Sequence, residues 1–260
     1  MTYLQAAPTF LIGAITFISV MSIFYVGYRA RKVMVKRNPE HADTDLKAIN
    51  GMMIGLLGLI LAFTFGMSNS RFNSRRELIM QEVNTIGTTV LRTDIYPDSM
   101  RTLLRLKLQQ YVDVRIAFYE VGMNIDSARI LYDHGEAIAK DTWKIAASYA
   151  RKDDITTRTS QLVPSLNAMI DVAATRKAAG EATIPDSIMY FLFILCLSSS
   201  FLLGYDQHGR IDWLVVTGFS LMLSVTIFNI IDLDRPRSGL INMDNANKKV
   251  VELRELFIDN

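Results

Sequence analysis

The sequence predicts an all-α integral membrane protein with four transmembrane helices and an all-helical insert between the second and the third. Half of its 260 residues are hydrophobic, and these residues gather in four long blocks instead of spreading as a soluble core would require. Between residues 69 and 185 no window could cross a bilayer, and apolar positions recur at helical spacing. The net charge of +2 gives no argument for a nucleic-acid partner.

The first apolar block, residues 10–28, carries no charge and is predicted to be the first transmembrane helix. Five basic residues follow it within nine positions, between Arg29 and Arg37. A secretory signal peptide would carry its positive charges before the apolar block, so a spanning helix fits better. With the second span, residues 50–68, this helix forms the first transmembrane pair, which we place in residues 1–68.

The second span organises the rest of the chain. No helix breaker occurs from Asn50 to about Thr93, so the spanning helix is predicted to continue unbroken out of the membrane into the insert. At about 1.5 Å per residue, the apolar part covers most of a hydrocarbon layer about 30 Å thick.

Small residues form a stripe along this second span, and we call it the small-residue stripe. Because lipid gives helices no hydrophobic reason to associate, such stripes are where helix backbones pack closely. We favour packing among the four spans of one subunit, and contact between subunits is the alternative. The stripe consists of Gly51, Gly55, Gly58, Ala62 and Gly66.

The insert, residues 69–185, is predicted to form a helical bundle beside the membrane. After the outgoing second helix, Pro97 marks the start of another helix, which Gly122 and Asn124 end. A further helix is predicted over residues 126–149, and a last one over residues 164–180, with Pro164 at its first turn.

The second transmembrane pair is predicted in residues 186–231, with spans over 188–205 and 213–231. Pro236 then ends the helical region, because proline disfavours helix at the preceding residue. Residues 232–260 are predicted to be a polar tail with a short surface helix.

Six stretches spread along the chain carry a resemblance to a known family. They are Arg75-Arg76-Glu77-Leu78-Ile79, Gln81-Glu82-Val83-Asn84-Thr85-Ile86-Gly87, Leu91-Arg92, Tyr111-Val112-Asp113-Val114-Arg115, the stretch from Val163 to Asp171, and the stretch from Asp232 to Ile241. With these stretches the sequence resembles the bacterial bestrophin-like membrane proteins, a family first catalogued as a domain of unknown function. The resemblance covers nearly the whole chain.

By distant likeness to bestrophins, the resemblance implies an oligomeric pore that conducts anions and is lined by the second spanning helix. Bestrophins place bulky apolar rings in a narrow neck, and here Ile60, Phe63 and Phe65 are all open for that role. We therefore expect a multi-pass protein of the bacterial inner membrane that forms a homo-oligomer in the lipid bilayer and passes inorganic anions. The alternative is a non-conducting membrane scaffold whose insert binds a partner protein.

Charged residues gather where the second and fourth spans leave the membrane. Asp232 and Asp234 stand at a helix C-terminus, where the negative end of the helix dipole disfavours carboxylates. Both helices leave on the same side, so we predict a charged collar in which these acids pair with arginines. A charged vestibule at a pore mouth is the alternative. The collar consists of Arg71, Arg75, Arg76, Asp232, Asp234 and Arg235.

Nothing in the sequence indicates enzyme chemistry. His41, His134 and His208 are far apart, and no glycine-rich phosphate loop or nucleophile elbow occurs. The single Cys196 excludes a disulfide within one chain. We expect no enzymatic activity, no cofactor and no metal site.

Charge and resemblance together leave open on which side of the membrane the insert lies. The basic run after the first span puts the first loop in the cytoplasm and the insert outside, according to the positive-inside rule. Basic residues also flank the opposite side, and the resemblance to bestrophins implies an insert on the inside. We expect the outside placement on the charge of the first loop.

Overall fold

The computed structural model describes residues 8–38, 46–122, 124–152, 156–235, 241 and 243–258. Within these residues every regular element is a helix, as the sequence predicts. The helices are α1 (Thr9–Arg37), α2 (Lys47–Arg92), α3 (Asp98–Glu120), α4 (Ile125–Ala150), α5 (Thr156–Glu181), α6 (Asp186–Tyr205), α7 (Trp213–Asp234) and α8 (Asp244–Glu252). Short 3-10 turns cover Thr93–Ile95 and Leu253–Phe257.

The chain divides into two compact units, described separately below. The membrane unit takes the described residues within Met1–Phe72, Thr183–Arg235 and Gly239–Ile241, and the insert unit takes those within Asn73–Ala182, Pro236–Ser238 and Asn242–Asn260.

Four stretches are long and apolar enough to cross a membrane: α1, the helix that begins at Lys47, the stretch Thr156–Tyr205, which ends in α6, and α7. This confirms the four predicted spans. The second helix is continuous for 46 residues, or about 69 Å at 1.5 Å per residue. It is therefore more than twice as long as a hydrocarbon layer is thick.

In the membrane unit, α1 packs against both α6 and α7. The core between the helices includes Val20 of α1, Leu192 of α6 and Ile227 of α7, none of which has any exposed surface. The second helix adds Leu57 and Leu61 to this core. Near its exit, the Ser68 hydroxyl donates to the Ile230 carbonyl at 2.7 Å, which satisfies a polar group in an apolar setting.

In the insert unit, α3 packs against α4, and α4 packs against α5. Helix α3 begins directly after Pro97, as predicted, and Gly122 after its end has a φ of +59° that favours glycine. The Asn124 side chain caps α4 by accepting from the Ser127 amide at 3.0 Å. The buried face of α3 carries Met100, Leu104, Leu108, Tyr111 and Val112.

Helix α5 differs from its predicted bounds. It begins at Thr156, eight residues before the predicted start, and Pro164 lies inside it. Proline removes one backbone donor from the helix, but Leu162 and Leu166 on either side of it are fully buried. Packing of these leucines holds the helix through the proline, because burial of two side chains outweighs one lost hydrogen bond.

The predicted surface helix at the C-terminus does not lie free on the surface, because one of its faces is docked on the insert unit. Helix α8 packs against α3, and Ala246, Val250 and Leu253 belong to the core of the insert unit. The charged residues around them stay exposed. A short amphipathic segment can be docked on one face, and the sequence pattern alone does not separate that arrangement from a helix lying free on the surface.

Candidate functional site

The small-residue stripe faces away from the rest of its own subunit. Among the residues that the structure describes, a Cβ atom built on Gly51, Gly55, Gly58 or Gly66 would meet no atom within 4 Å beyond its own stretch of helix, and Ala62 is exposed. The favoured prediction, packing of the stripe among the four spans of one subunit, is therefore wrong. The buried face of α2 is instead formed by larger side chains such as Leu57, Leu61 and Thr64, which fill the core that glycine cannot fill.

Close packing of helices occurs at two glycines that lie outside the small-residue stripe. A Cβ atom on Gly27 would clash with the Phe201 carbonyl oxygen, and one on Gly204 would clash with the Phe24 carbonyl oxygen. These contacts hold α1 against α6. Gly204 follows Ser200 by four residues, so a small-residue spacing marks it in the sequence, whereas Gly27 has no such neighbour four residues away.

The three candidates for a bulky pore ring differ in their surroundings. Ile60 packs against the core of the membrane unit. Phe63 is 64% exposed and Phe65 is 42% exposed. At about 100° of rotation per residue, Phe65 lies about 60° from the midline of the stripe, and Phe63 lies about 100° from it on the other flank. Phe65, which stands seven residues, or two turns, after Gly58, is therefore the closer of the two.

A shallow groove runs beside the stripe on α2. It is lined by Ala62, Phe63, Gly66, Met67, Ser70 and Arg71. All six residues belong to one helix, so the groove is a surface that another molecule or another subunit would complete.

The acids of the predicted collar accept hydrogen bonds from backbone amides of the membrane unit. Asp232 has no exposed surface and accepts from the Ile241 amide at 2.9 Å. Asp234 accepts from the Ile184 amide at 2.9 Å. Arg235 donates to the Thr9 hydroxyl at 3.3 Å. These bonds connect the C-terminal end of α7 to the start of α1 and to the segment before α6. Further partners of the acids would add to this connection. Pro236 lies outside the described residues.

The arginines of the predicted collar have different surroundings. Arg75 is 4% exposed and donates to the carbonyls of Ala179 and Ala182, at 3.0 and 2.6 Å. These carbonyls belong to the last turn of α5 and the residue after it, where a cation also meets the negative end of the helix dipole. Arg71 is half-buried and Arg76 is exposed. The predicted pairing of arginines with Asp232 or Asp234 stays a prediction.

The insert unit contains a buried charge network that is not among the predicted sites. Glu82 of α2 has no exposed surface and accepts from Arg115 of α3 and Arg176 of α5, each at 2.5 Å. The Tyr119 hydroxyl donates to Glu82 at 2.8 Å and accepts from both arginines. Arg176 also donates to the Asn247 side chain on α8 at 3.3 Å. The carboxylate thus links α2, α3 and α5 directly, and Arg176 extends the linkage to α8. We call these five residues the Glu82 network.

Electrostatics inside the network favour the charged forms. Burial by itself raises the pKa of Glu82, but the charges and hydrogen bonds of Arg115 and Arg176 outweigh it and lower that pKa to about 2. Burial raises the pKa of the Tyr119 hydroxyl above its ordinary value, and the Glu82 charge raises it further. Tyr119 therefore stays a neutral donor and Glu82 a charged acceptor.

Aromatic rings surround the cations of the Glu82 network. The Arg115 guanidinium lies 4.9 Å from the Phe118 ring centre, and the Arg176 guanidinium lies 4.1 Å from that of Tyr119. Beside them, the Lys177 ammonium lies 4.2 Å from the Tyr132 ring centre. A cation over a ring face is stabilised by the ring quadrupole, so these rings partly replace the water that burial removes.

A signal for this network is present in the sequence. Glu82 lies between Ile79 and Ile86, three residues before and four after it, and both isoleucines are buried. Arg115 likewise lies beside Tyr111, Val112 and Ile116 on the apolar face of α3. A charged residue within an apolar stripe needs a buried partner. The pattern therefore indicates a buried ion pair, although it does not name the partner.

The described residues include no group of three or more His, Cys, Asp or Glu side chains that could hold a metal ion. Each member of the Glu82 network bonds to at least one other member, which suits a structural linkage of the insert helices. The stripe on α2, by contrast, is an exposed apolar surface, and within the described part of the subunit no atom from another helix lies near its glycines.

Comparison with known proteins connects these features to one family. The family model of the bestrophin-like domain matches residues 16–246, and no curated protein matches the chain. A single-residue variant of a bacterial bestrophin homologue from Klebsiella pneumoniae has a similar structure, with a TM-score of 0.67 and 14% sequence identity over 92% of this chain and 98% of that one. A structure of the Klebsiella homologue phased on zinc gives a TM-score of 0.66 at 12% identity, over 92% and 98% of the two chains.

A further similar structure, of a protein described as a membrane protein, gives a TM-score of 0.67 at 14% identity and covers 94% of this chain and 99% of that one. The four membrane-spanning stretches, the helical insert unit and the match of the family model over most of the chain agree with one another. The chain belongs to the bestrophin-like family of multi-pass membrane proteins.

Proposed function

We propose that this protein assembles as a homo-oligomer and that its subunits arrange the small-residue stripe of α2 around a central pathway for inorganic anions. The observation that carries the proposal is the exposure of the stripe. In the apolar 18-residue window of α2, 17% of the residues are buried within the subunit, compared with 28% to 39% in the corresponding windows of the other spans. The bestrophin-like fold supports the same arrangement.

Physical chemistry favours contact between copies at this face. A glycine face turned to lipid gains nothing, because acyl chains are as apolar as the side chains they would replace. The same face turned toward other subunits allows their backbones to approach closely, and closed rotational symmetry would bring identical stripes together around one axis. The stripe then shapes the pathway and the contacts that enclose it.

Phe65 is the residue that we assign to the constriction of this pathway. It stands two turns after Gly58 on the stripe side of α2, and it is 42% exposed within the subunit. A ring of phenylalanines at a symmetry axis would form a hydrophobic constriction, which controls ion passage by excluding water. Phe63 lies farther from the midline of the stripe and lines the groove at its flank.

The pathway becomes polar toward the end of the span. Asn69 follows Gly66 by three residues and Ala62 by seven, so it lies on the stripe side of α2, and it is exposed. Its carboxamide can donate a hydrogen bond to an anion, while a carboxylate at the same place would repel one. The neutral carboxamide is therefore compatible with the proposed anion pathway.

A non-conducting scaffold is the second candidate, and exposed apolar side chains on the insert unit favour it. Ile130 is 68% exposed, Leu91 59% and Leu106 51%. Surfaces of this kind suit a partner protein, although contacts between copies of this chain would also cover them.

Anion flux through liposomes tests the proposal. Purified protein is reconstituted into chloride-loaded vesicles, chloride efflux is recorded, and protein-free vesicles give the background. Cross-linking in the same vesicles checks that the oligomer is present. We expect efflux above background, whereas a sealed bilayer that contains the intact oligomer would favour the scaffold.

A further inference from the structure

One face of α1 points away from the membrane unit and changes its chemistry along its length. The residues on this face recur at intervals of three, four or seven, which places them on one side of a helix. They are all exposed or largely exposed. In order they are Leu11, Ile15, Ile18, Tyr25, Arg29, Lys32 and Lys36.

The opposite side of α1 carries the contacts of the fold. Val20, Phe24 and Gly27 are buried there, and Gly27 is where α1 meets the backbone of α6. Arg31, which is 4% exposed, also lies on this inner side and donates to the Tyr205 carbonyl at 3.2 Å. The outer cations Arg29, Lys32 and Lys36 are therefore not needed to hold α1 in place.

No acidic residue occurs anywhere in α1. Among the described residues, none of the salt bridges involves Arg29, Lys32 or Lys36. The Lys32 ammonium lies 4.4 Å from the Tyr28 ring centre, which holds the charge near the aromatic end of the apolar region. The outer face thus presents a compact group of cations directly beyond its aromatic residue.

The dimensions of the face match the layers of a bilayer. Leu11, Ile15 and Ile18 suit the hydrocarbon layer, and Tyr25 suits its boundary, where tyrosine is enriched. Arg29 to Lys36 spans about 10 Å along the helix, while one headgroup layer is roughly 5 to 8 Å thick. Long basic side chains bend toward the headgroups from such positions.

We propose that Arg29, Lys32 and Lys36 bind the phosphate of an anionic phospholipid headgroup, with Tyr25 packed against the first carbons of its acyl chains. The ligand class follows from the charge, the absence of acids on α1, and the apolar, aromatic and cationic order of one outward face. The proposal concerns a lipid site and stands whether or not the protein conducts ions.

Lipid titrations of the detergent-purified protein test this site. Phosphatidylglycerol and the zwitterionic phosphatidylcholine are added at equal concentrations, and the midpoint of thermal unfolding and the lipids retained in native mass spectra are recorded. Inorganic phosphate forms a separate arm. We expect phosphatidylglycerol to raise the midpoint and to be retained, while phosphatidylcholine and inorganic phosphate do neither.

Two matched triple variants separate the site from general charge. The site variant carries Arg29→Gln, Lys32→Gln and Lys36→Gln. The control carries Lys144→Gln, Arg151→Gln and Lys152→Gln, which removes the same residue types from exposed positions of the insert unit. Each basic residue near an anionic surface contributes about a fivefold change in affinity, so the site variant should lose most phosphatidylglycerol binding and the control should keep it.

Equal responses to both lipids in the unmodified protein would overturn the proposal, as would a site variant that retains phosphatidylglycerol like the control. If the site variant does not fold, the single variant Lys36→Gln and the conservative pair Lys32→Arg with Lys36→Arg take its place. The pair should retain the lipid, and the single variant should bind it more weakly. If both variants retain the lipid, the result counts against the site. A response to inorganic phosphate equal to that to phosphatidylglycerol would replace the lipid site with a simple anion site.

Discussion

Arg115 and Glu82 form an ion pair in the core of the insert unit, with 2.5 Å between the arginine Nε and a carboxylate that has no exposed surface. Breaking such a pair from one side is costly, because the remaining charge stays buried without its partner. Glu82→Gln keeps the shape of the side chain and removes the charge. We expect it to destabilise the protein by about 3 to 5 kcal/mol, measured as unfolding in detergent.

The control for this prediction is Glu136→Gln. Glu136 pairs with Lys140 on the surface of α4, where the two side chains are 40% and 62% exposed. Exposed ion pairs on a helix contribute little to stability because solvent screens them, so this variant should unfold close to the unmodified protein. Equal effects of the two substitutions would show that Glu82 is not the link between the insert helices.

The same carboxylate predicts a dependence of stability on acid. The pKa of Glu82 is lowered from 4.5 to about 2 in the folded protein, so its contribution to stability is fully present above pH 4.5 and is lost as the pH falls toward 2. The shift corresponds to about 3 kcal/mol. The difference in unfolding midpoint between unmodified protein and Glu82→Gln should therefore shrink between pH 5 and pH 3. A constant difference over that range would contradict the assignment.

A pair of identical substitutions tests which glycines pack helices within the subunit. Gly204→Ala should destabilise the membrane unit, because the added Cβ atom meets the backbone of Phe24, and backbone atoms cannot move aside as a flexible side chain can. The Cβ atom of Gly55→Ala meets no atom of a neighbouring helix within 4 Å among the described residues. This variant should keep the unfolding midpoint of a dissociated subunit or raise it slightly, because alanine favours helix over glycine. Similar midpoints for both variants would show that the contact between α1 and α6 is not tight.

A double-mutant cycle tests the charged collar. Asp234→Ala removes the acceptor of the Ile184 amide and should cost about 1 to 3 kcal/mol, more than Asp171→Ala at an exposed position. If Asp234 also pairs with Arg75, the effects of Asp234→Ala and Arg75→Ala on the free energy of unfolding should not add. Additive effects would mean that the arginine serves only the end of α5 and that the collar does not exist.

The sequence predicts the class of the fold because length and hydropathy decide which segments can cross a bilayer. Residues 188–205 and 213–231, for example, could be assigned without any tertiary information. The direction that a helix faces depends on its neighbours. The small-residue stripe has the pattern of an interior face, yet Leu57 and Leu61 fill the core, and the glycines that pack tightly are Gly27 and Gly204.

Charged sites were harder to predict for a related reason. Glu82, Arg115 and Arg176 come from three helices separated by 33 and 61 residues along the chain, so their meeting depends on packing that no local pattern encodes. The charge of Arg75 and its depth near the membrane indicate a place in the charged collar. Its bonds to Ala179 and Ala182, however, depend on where α5 ends. Helix ends are among the least predictable features of a sequence, as the early start of α5 shows.

Chloride efflux through liposomes that contain Phe65→Ala, compared with Phe63→Ala, tests the proposed pore most directly. Both substitutions remove an exposed phenylalanine from α2, but Phe65 lies closer to the midline of the small-residue stripe, whereas Phe63 lies on its flank. We expect Phe65→Ala to raise the efflux per oligomer severalfold, because it widens a hydrophobic constriction, while Phe63→Ala leaves it unchanged. Equal efflux from both variants and the unmodified protein, with intact oligomers in each, would contradict a pathway along this face of α2.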